Sequence, residues 1–434
     1  MSGGVETYLD RLIDEQSRQG IDVSLLAGSH ELRPTTTIER HESGDTIVHR
    51  LYRDDLYFDH YAKAYHAGAE GEIEALLRRE RPDVVHLHQW IRLTNNIVEI
   101  AARLNIPTVV TTHDVYTSCP RCFRVRRDDE ACYRPLSIES CLDCVPKFGH
   151  ESDQELRLSI ELFHDQYRRE LAMAARVLVA DPATSNLICD TTTTPIDRFE
   201  VLPLPYQHRF DGAPTANSPA DDEPLRFAYW GVLTYRKGAQ VMAQAFADLH
   251  RAGSPRKTEL HLFGGIDTPE LEAELRAITD GTPVVFHGRY EYEQLAAANL
   301  HMAIFPMLCF ETWGFVLDEC FELGLPCITT ENGALARRAG AAAIRVPPRD
   351  VTAMRAAMAR VLRDPGMLGK LRAGVPALPP SNHEHALKLA SIYREAIEAG
   401  ATKTPPLPAW RRARLTELQR ESAMARLLPP GGPQ

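Results

Sequence analysis

Apolar positions along this chain follow two rhythms that take turns: runs spaced three and four apart, and short unbroken apolar stretches. Val5, Leu9, Leu12 and Ile13 share one helical face and Gly20 stops the run, so residues 3–19 are predicted as a helix. Ile21–Ala27 and Thr46–Leu51 follow as strands, then a helix Ala62–Arg79, a strand Asp83–Leu87, a helix Asn95–Leu104 and a strand Pro107–Thr112. A helix near 155–174 and strands Arg176–Ala180 and Phe199–Pro203 continue the alternation. Residues 207–223, rich in Ala, Pro, Asp and Ser, read as a linker. The rhythm then restarts, with strands Arg226–Trp230, Glu259–Phe263, Val284–His287 and His301–Phe305 between helices that begin at Ala239, Pro269, Tyr292 and Phe315. Strand–helix alternation of this kind builds parallel sheets covered by helices, and two successive doubly wound halves facing a cleft are the simplest α/β arrangement. The expected division is 1–206, the linker, 224–382, a helix over 383–399, and a basic Pro-rich tail over 400–434.

Composition narrows the classes. The 434 residues suffice for two domains, and a net charge of −10 argues against general nucleic-acid binding. Spanning a bilayer takes a longer apolar run than any here, and Met1-Ser-Gly-Gly-Val-Glu lacks the basic start and apolar core of a signal peptide, so a cytoplasmic protein is expected. In that compartment the nine cysteines serve as thiols or metal ligands rather than disulfides.

The most informative stretch is Pro306-Met-Leu-Cys-Phe-Glu311-Thr-Trp-Gly-Phe-Val-Leu-Asp-Glu319, followed by Gly324-Leu-Pro. It places one carboxylate in the loop leaving a buried strand and a second, eight positions on, in the helix that follows. Ligands of doubly wound sheets bind where such loops leave the strands' carboxyl ends. The backbone N–H groups of Gly314, Phe315 and Val316 at the helix start have no intrahelical partner and suit a phosphate. The spacing, with Trp-Gly and Gly-Leu-Pro around it, resembles the Glu-x7-Glu signature of retaining family-four (group 1) glycosyltransferases of the GT-B fold. The resemblance spans about residues 1–399, and helix 383–399 matches the family's final helix, which crosses back onto the first domain.

The resemblance implies roles for individual residues. Glu311 matches the acid that holds sugar hydroxyls near the reacting carbon, and Glu319 the acid that grips ribose. Apart from that match, Glu319 reads as a helix-surface acid like its neighbours Asp318 and Glu322, and Glu311 as a solvated loop charge. Gly231-Val-Leu-Thr-Tyr-Arg236-Lys237-Gly238 opens a helix after the second half's first strand, where Lys237 can neutralise a departing diphosphate. Relatives often carry Arg after the first Gly of this motif; here it is Val232, and Arg236 is the candidate substitute. Gly3 and Gly4 precede a helix, where bare backbone can approach a phosphate or sugar. His113, ending the strand Pro107–Thr112, corresponds to the histidine that faces the donor sugar, with Asp114 placed to orient its ring. His88 is a candidate acceptor contact, His86 reads as core, and Arg289, after Gly288, is a candidate for framing the nucleotide base.

Three features lie outside that pattern. Cys119, Cys122, Cys132, Cys141 and Cys144 have the spacing of a structural zinc knuckle, with free or redox thiols as the alternative. Such a metal would be structural, since the resemblance implies catalysis without one. The tail carries six Lys/Arg against two Glu around Trp410-Arg-Arg-Ala-Arg414, which leaves open a peripheral contact with an acidic membrane, a disordered tail or a docked helix. Finally, relatives have an apolar strand before the Gly-Gly loop where this sequence has Met1, so a missing first strand of the first domain, through truncation or a misplaced start, is expected.

The reading that follows is a retaining glycosyltransferase taking a sugar from a nucleoside-diphosphate sugar to an acceptor (glycan, lipid or small molecule). A GT-B epimerase or phosphorylase, or a scaffold on a decayed transferase fold, are the alternatives.

Overall fold

The computed structural model describes residues 4–55, 65–147, 150–210, 212, 216, 218–220, 222–364 and 366–427. They form two units. One takes in Met1–Phe123, Tyr133–Leu202 and Asn382–Gln434, the other Arg124–Cys132 and Pro203–Ser381.

The first unit holds two sheets. Strands β1 (Ser24–Leu32), β2 (Thr37–Ser43) and β3 (Thr46–Arg53) form one in the order β1-β3-β2, with β1 parallel to β3 and β2 antiparallel. Strand β2 is absent from the sequence reading. Only Ile38 is apolar along it, so its period-2 signal is faint, and the Gly44-Asp45 turn that joins it to β3 was the remaining clue. Strands β4 (Val85–Leu87), β5 (Thr108–Thr112), β6 (Arg176–Val179) and β7 (Phe199–Val201) make an all-parallel second sheet in chain order.

Helix Gly4–Arg18 lies on helix Asn382–Ala399, joined by Tyr8 to His385 at 2.9 Å and by Gln16 to the Tyr393 hydroxyl at 2.9 Å. The helix following β4, Ile97–Arg103, has no cap from its own N-cap side chain. Buried Glu170 of helix Asp153–Met173 supplies one by accepting from the Val98 and Glu99 amides and from Trp90 Nε1.

The tail forms a helix, Ala409–Leu427, packed against Asp153–Met173. Leu415 and Leu418 are 3% and 2% exposed, and Arg411 pairs with Asp165 at 2.6 Å. Arg412 donates to Glu99 at 2.8 Å and Gln166 at 2.7 Å. The thin apolar stripe therefore has a protein partner, while Trp410 stays 67% exposed. Arg412→Met keeps the aliphatic stem but leaves Glu99, itself mostly buried, with its weaker partners Gln166, Arg169 and Arg103. A loss of about 2 kcal/mol in urea unfolding is expected. An unchanged midpoint would mean that this pair does not hold the helix in place.

The second unit has one six-stranded parallel sheet: β8 (Leu225–Trp230), β9 (Thr258–Phe263), β10 (Val284–Gly288), β11 (Met302–Phe305), β12 (Cys327–Thr330) and β13 (Ala343–Val346), ordered β10-β9-β8-β11-β12-β13. Helices begin at Ala239, Pro269, Tyr292 and Phe315. Phe227, Phe246, Leu260, Ile304, Phe305 and Ile328 are among the side chains that fill its core. The strand order reverses between β8 and β11, and at such a switch point the loops on the carboxyl side diverge and leave a crevice. Among the described residues no helix is long and apolar enough to cross a membrane.

Candidate functional site

The loops after β8, β9 and β11 meet at the switch point because glycine lets their backbones touch. Gly238 has φ +72°, and a Cβ there would sit 2.0 Å from the Pro306 carbonyl oxygen. Gly264, at φ +135°, would place one 1.9 Å from the Gly231 carbonyl oxygen. Any side chain at either position would drive the loops apart. The Arg236 carbonyl then accepts from the Leu308 and Cys309 amides at 2.9 and 3.1 Å, which ties the β8 loop to the β11 loop.

This tie brings the predicted charges together. Lys237 ends a 3-10 turn, Tyr235–Lys237, whose last amide is capped by Thr234 Oγ1 at 3.1 Å. Buried Cys309 reports the local field: burial pushes its thiol up to about 12, Glu311 adds to the rise, and Lys237 and Arg236 oppose it. Glu311, Lys237 and Arg236 thus all act on one buried thiol, and among the described residues Lys237 makes no ion pair. On the opposite side, Val316 Cγ1 of the helix Phe315–Glu322 would lie 3.8 Å from a Cβ at Gly231, so the helix start faces the β8 loop.

The loop carrying Glu311 is held from behind. Asp318 accepts from Trp313 Nε1 at 3.0 Å and pairs with Arg338, whose guanidinium lies 3.4 Å over the Trp313 ring and donates to the Trp313 carbonyl. Burial raises Asp318 to about 6 in spite of Arg338. Asp318 is therefore not a surface acid, and neither is Glu322. Glu322 accepts from the Tyr206 hydroxyl and His208 Nδ1, both at 2.7 Å, and from the Arg209 amide at 2.9 Å. Although burial pushes it up, these donors bring its pKa below the ordinary value. Placing both acids at the surface is corrected here: an eight-residue helix facing a switch point has little exposed surface, so each acid on it needs buried donors.

Glu319 is 5% exposed. Its Oε2 accepts from Trp230 Nε1 at 2.9 Å and its Oε1 from the Tyr292 hydroxyl at 3.0 Å. Burial raises its pKa to about 7, against the pull of Tyr292, Arg209 and Trp230. Trp230, Tyr292 and Arg338 escaped sequence reading. Trp230 had a signal, as an indole donor placed at the end of a mostly apolar strand; Tyr292 and Arg338 had none without the fold. Arg289 is exposed, next to Tyr290, whose ring packs on Phe263.

In the first unit, His113 joins a ring cluster. Its Nε2 lies 2.9 Å from His88 Nδ1 and its ring 5.0 Å from that of Tyr8. Burial, with His385 nearby, lowers His113 to about 3, and His88 is also held well below the ordinary imidazole range by burial. Both are neutral at physiological pH. His86 is held between the Tyr393 hydroxyl at 2.6 Å and Thr111 at 2.8 Å. The expectation that Asp114 orients His113 is corrected: its oxygens take the Gln89 amide at 2.7 Å, the Tyr116 N–H at 2.8 Å and the Cys122 thiol, which shapes the loop after β5 instead. Gly4 opens the first helix, and Gly3 lies outside the described residues.

The two Cys-x2-Cys segments are closed by Cys122 N–H to Cys119 O and Cys144 N–H to Cys141 O, and Arg121 donates to Cys144 Sγ at 3.4 Å. Cys132 falls in the other unit. Among the described residues no three His, Cys, Asp or Glu are grouped to hold a metal ion.

Against known proteins, the profile of "Glycosyltransferase Family 4" matches residues 2–206 and that of "Glycosyl transferases group 1" residues 224–364. The chain belongs to the group 1, family 4 glycosyltransferases. This glycosyltransferase is 27% identical over 349 residues to D-inositol 3-phosphate glycosyltransferase of Thermobispora bispora, covering 75% of this chain and 73% of that one. Among solved structures it resembles sucrose-phosphate synthase of Thermosynechococcus elongatus, with a TM-score of 0.60 at 19% identity over 92% of this chain and 94% of the other. It also resembles HepE of Anabaena in complex with UDP and glucose, with a TM-score of 0.56 at 15% identity over 90% and 96%. Those likenesses show a GT-B fold built of two Rossmann-like units.

Proposed function

We propose that this glycosyltransferase takes a sugar from a nucleoside-diphosphate sugar and passes it, with retention of configuration, to a hydroxyl-bearing acceptor. The observation that carries the reading is the meeting at the switch point of the loops that bear Arg236, Lys237 and Glu311, beside a helix start and a buried Glu319. Each part answers one need of the reaction. Breaking a glycosyl–phosphate bond builds negative charge on the diphosphate, which Lys237, Arg236 and the Phe315 and Val316 amides would stabilise. Glu311 would hold hydroxyls of the sugar near its reacting carbon, and Glu319 the ribose. For retention, the acceptor would attack from the face the diphosphate leaves, with the leaving phosphate taking the acceptor's proton. HepE, crystallised with UDP and glucose, supports a donor of this class. Within the first unit, His113 and His88, both neutral, are the polar groups proposed to meet hydroxyls of a ligand.

The test is a panel of UDP-, ADP-, GDP- and TDP-sugars offered with mixed acceptors, read as released nucleoside diphosphate and, by NMR, as the anomer of the product. The expected result is acceptor-dependent release with the donor's configuration kept. Inverted product would end the retaining assignment, and release from no donor would end the reading of the donor site.

A further inference from the structure

We propose that Trp230 and Tyr292 are positioning residues that aim Glu319 at a vicinal diol, so that the site selects ribonucleotides over 2′-deoxyribonucleotides. The inference rests on the donor reading above.

Both donors are fixed before any ligand arrives. Trp230 is fully buried at the end of β8, with its ring edge-on to Phe305 at 5.1 Å and 83°. Tyr292 starts a helix secured by a reciprocal Glu291–Gln294 capping box. Its ring is flanked by Phe210 at 5.8 Å and 85° and covered by the Arg209 guanidinium at 5.0 Å. Each therefore delivers one hydrogen bond to a different oxygen of Glu319 from a side chain packed against its neighbours.

The count of lone pairs gives the specificity. An ionised carboxylate offers about four acceptor positions, two per oxygen. Trp230 takes one on Oε2 and Tyr292 one on Oε1, so each oxygen keeps one. Two adjacent hydroxyls on one ring fill two acceptor positions on neighbouring oxygens; a single hydroxyl fills one and leaves a buried acceptor without a donor, which is costly. A cation is a poorer match, because among the described residues Glu319 makes no ion pair and its environment is built of rings. The titratable and charged groups facing it are Arg209, Tyr206, Tyr290, Tyr292, Asp318 and Cys320. Of these only Arg209 is a cation.

Proton linkage supplies a readout that a merely structural role would not move. The diol binds the ionised carboxylate, whose pKa in the free protein is raised to about 7. Ribonucleotide affinity is then level above that pH and falls as pH drops through it. Removing either donor withdraws support from the charged form, so the break moves to higher pH.

The experiment is calorimetric titration of UDP, ADP and GDP and of their 2′-deoxy counterparts into wild type, Tyr292→Phe and Trp230→Phe, from about pH 6 to about pH 9. Wild type should prefer the ribonucleotide by about tenfold, and Tyr292→Phe should reduce the preference to about threefold or less while changing deoxynucleotide affinity by under about twofold. Its pH break should also rise. If Trp230→Phe does not fold, Tyr292→Phe, which loses one hydroxyl, carries the test alone. Equal binding of ribo and deoxy forms by wild type, or an unchanged ratio and pH break in Tyr292→Phe, would overturn the positioning role. Binding of no nucleoside diphosphate by wild type would overturn this and the donor reading together.

Discussion

Changing Lys237 or Glu311 to alanine is expected to reduce sugar transfer by about a thousandfold while moving the melting temperature by no more than about 2 °C. Lys237 is free of ion pairs among the described residues, so its ammonium is not needed to neutralise another protein charge. In the proposed reaction its task would be the charge that grows on a departing diphosphate, an interaction stronger in the transition state than in the bound donor. The loss should therefore fall on kcat and kcat/KM alike. Glu311 holds its loop through its backbone, whose carbonyl accepts from the Ala334 amide at 2.8 Å, so the carboxylate can be removed without undoing that contact. Glu311→Gln keeps the shape and separates charge from bulk. Turnover within about threefold of wild type in both alanine variants would remove these residues from the proposed site.

The second large effect concerns stability and lies one layer behind the site. Arg338→Met should destabilise the second unit by about 4 kcal/mol, because it strands Asp318 in a buried place where, among the described residues, the Trp313 indole is its remaining side-chain donor. The pH dependence has a definite sign. Asp318 is held above its unfolded value, at about 6, even with Arg338 present. Such a group stabilises the fold below its unfolded pKa and loses that contribution as pH rises through its folded pKa. Without the guanidinium the folded value rises further, so the gap between wild type and variant should be wide at pH 8 and narrower at pH 5, where Asp318 takes a proton. Denaturant unfolding at the two pH values measures it, and equal gaps would show that Asp318 is not the group responsible. Since Arg338 also covers Trp313 and bonds its carbonyl, the variant should lose activity at temperatures where it is still folded.

The second unit was legible from residue order as far as the helix from Phe315, while β13 and the helices Ala334–Ala339, Val351–Arg363 and Met367–Arg372 were not predicted. The strands predicted there are short and mostly apolar, and the predicted helices begin after Gly238, Thr268, Glu291 and Gly314, residues that end one backbone conformation and permit another. The first unit also held elements that residue order did not predict. β2 has almost no apolar period, and the helix Pro182–Thr192 passed unread because its Thr-rich stretch weakens a helical pattern. At the site, Glu311, Glu319 and Lys237 were picked out because their spacing places them on the loops and helix at the strands' carboxyl ends. The state of each carboxylate was not legible. Three acids sit at positions 318, 319 and 322 of one short helix, and sequence offers no means to tell a surface charge from a buried one.

Local order thus established the alternation of strands and helices, the parallel sheets it requires, and the residues able to carry the chemistry, because apolar period and glycine placement act over a few neighbouring positions. Only tertiary packing decided what those residues do. Trp230 and Tyr292 are 62 positions apart in the sequence, yet both donate to Glu319. Asp318 depends on Arg338, and Asp114 holds a loop rather than an imidazole. Hydrogen bonds to a buried charge come from whatever the fold brings within reach, and that is settled by the order of strands in the sheet.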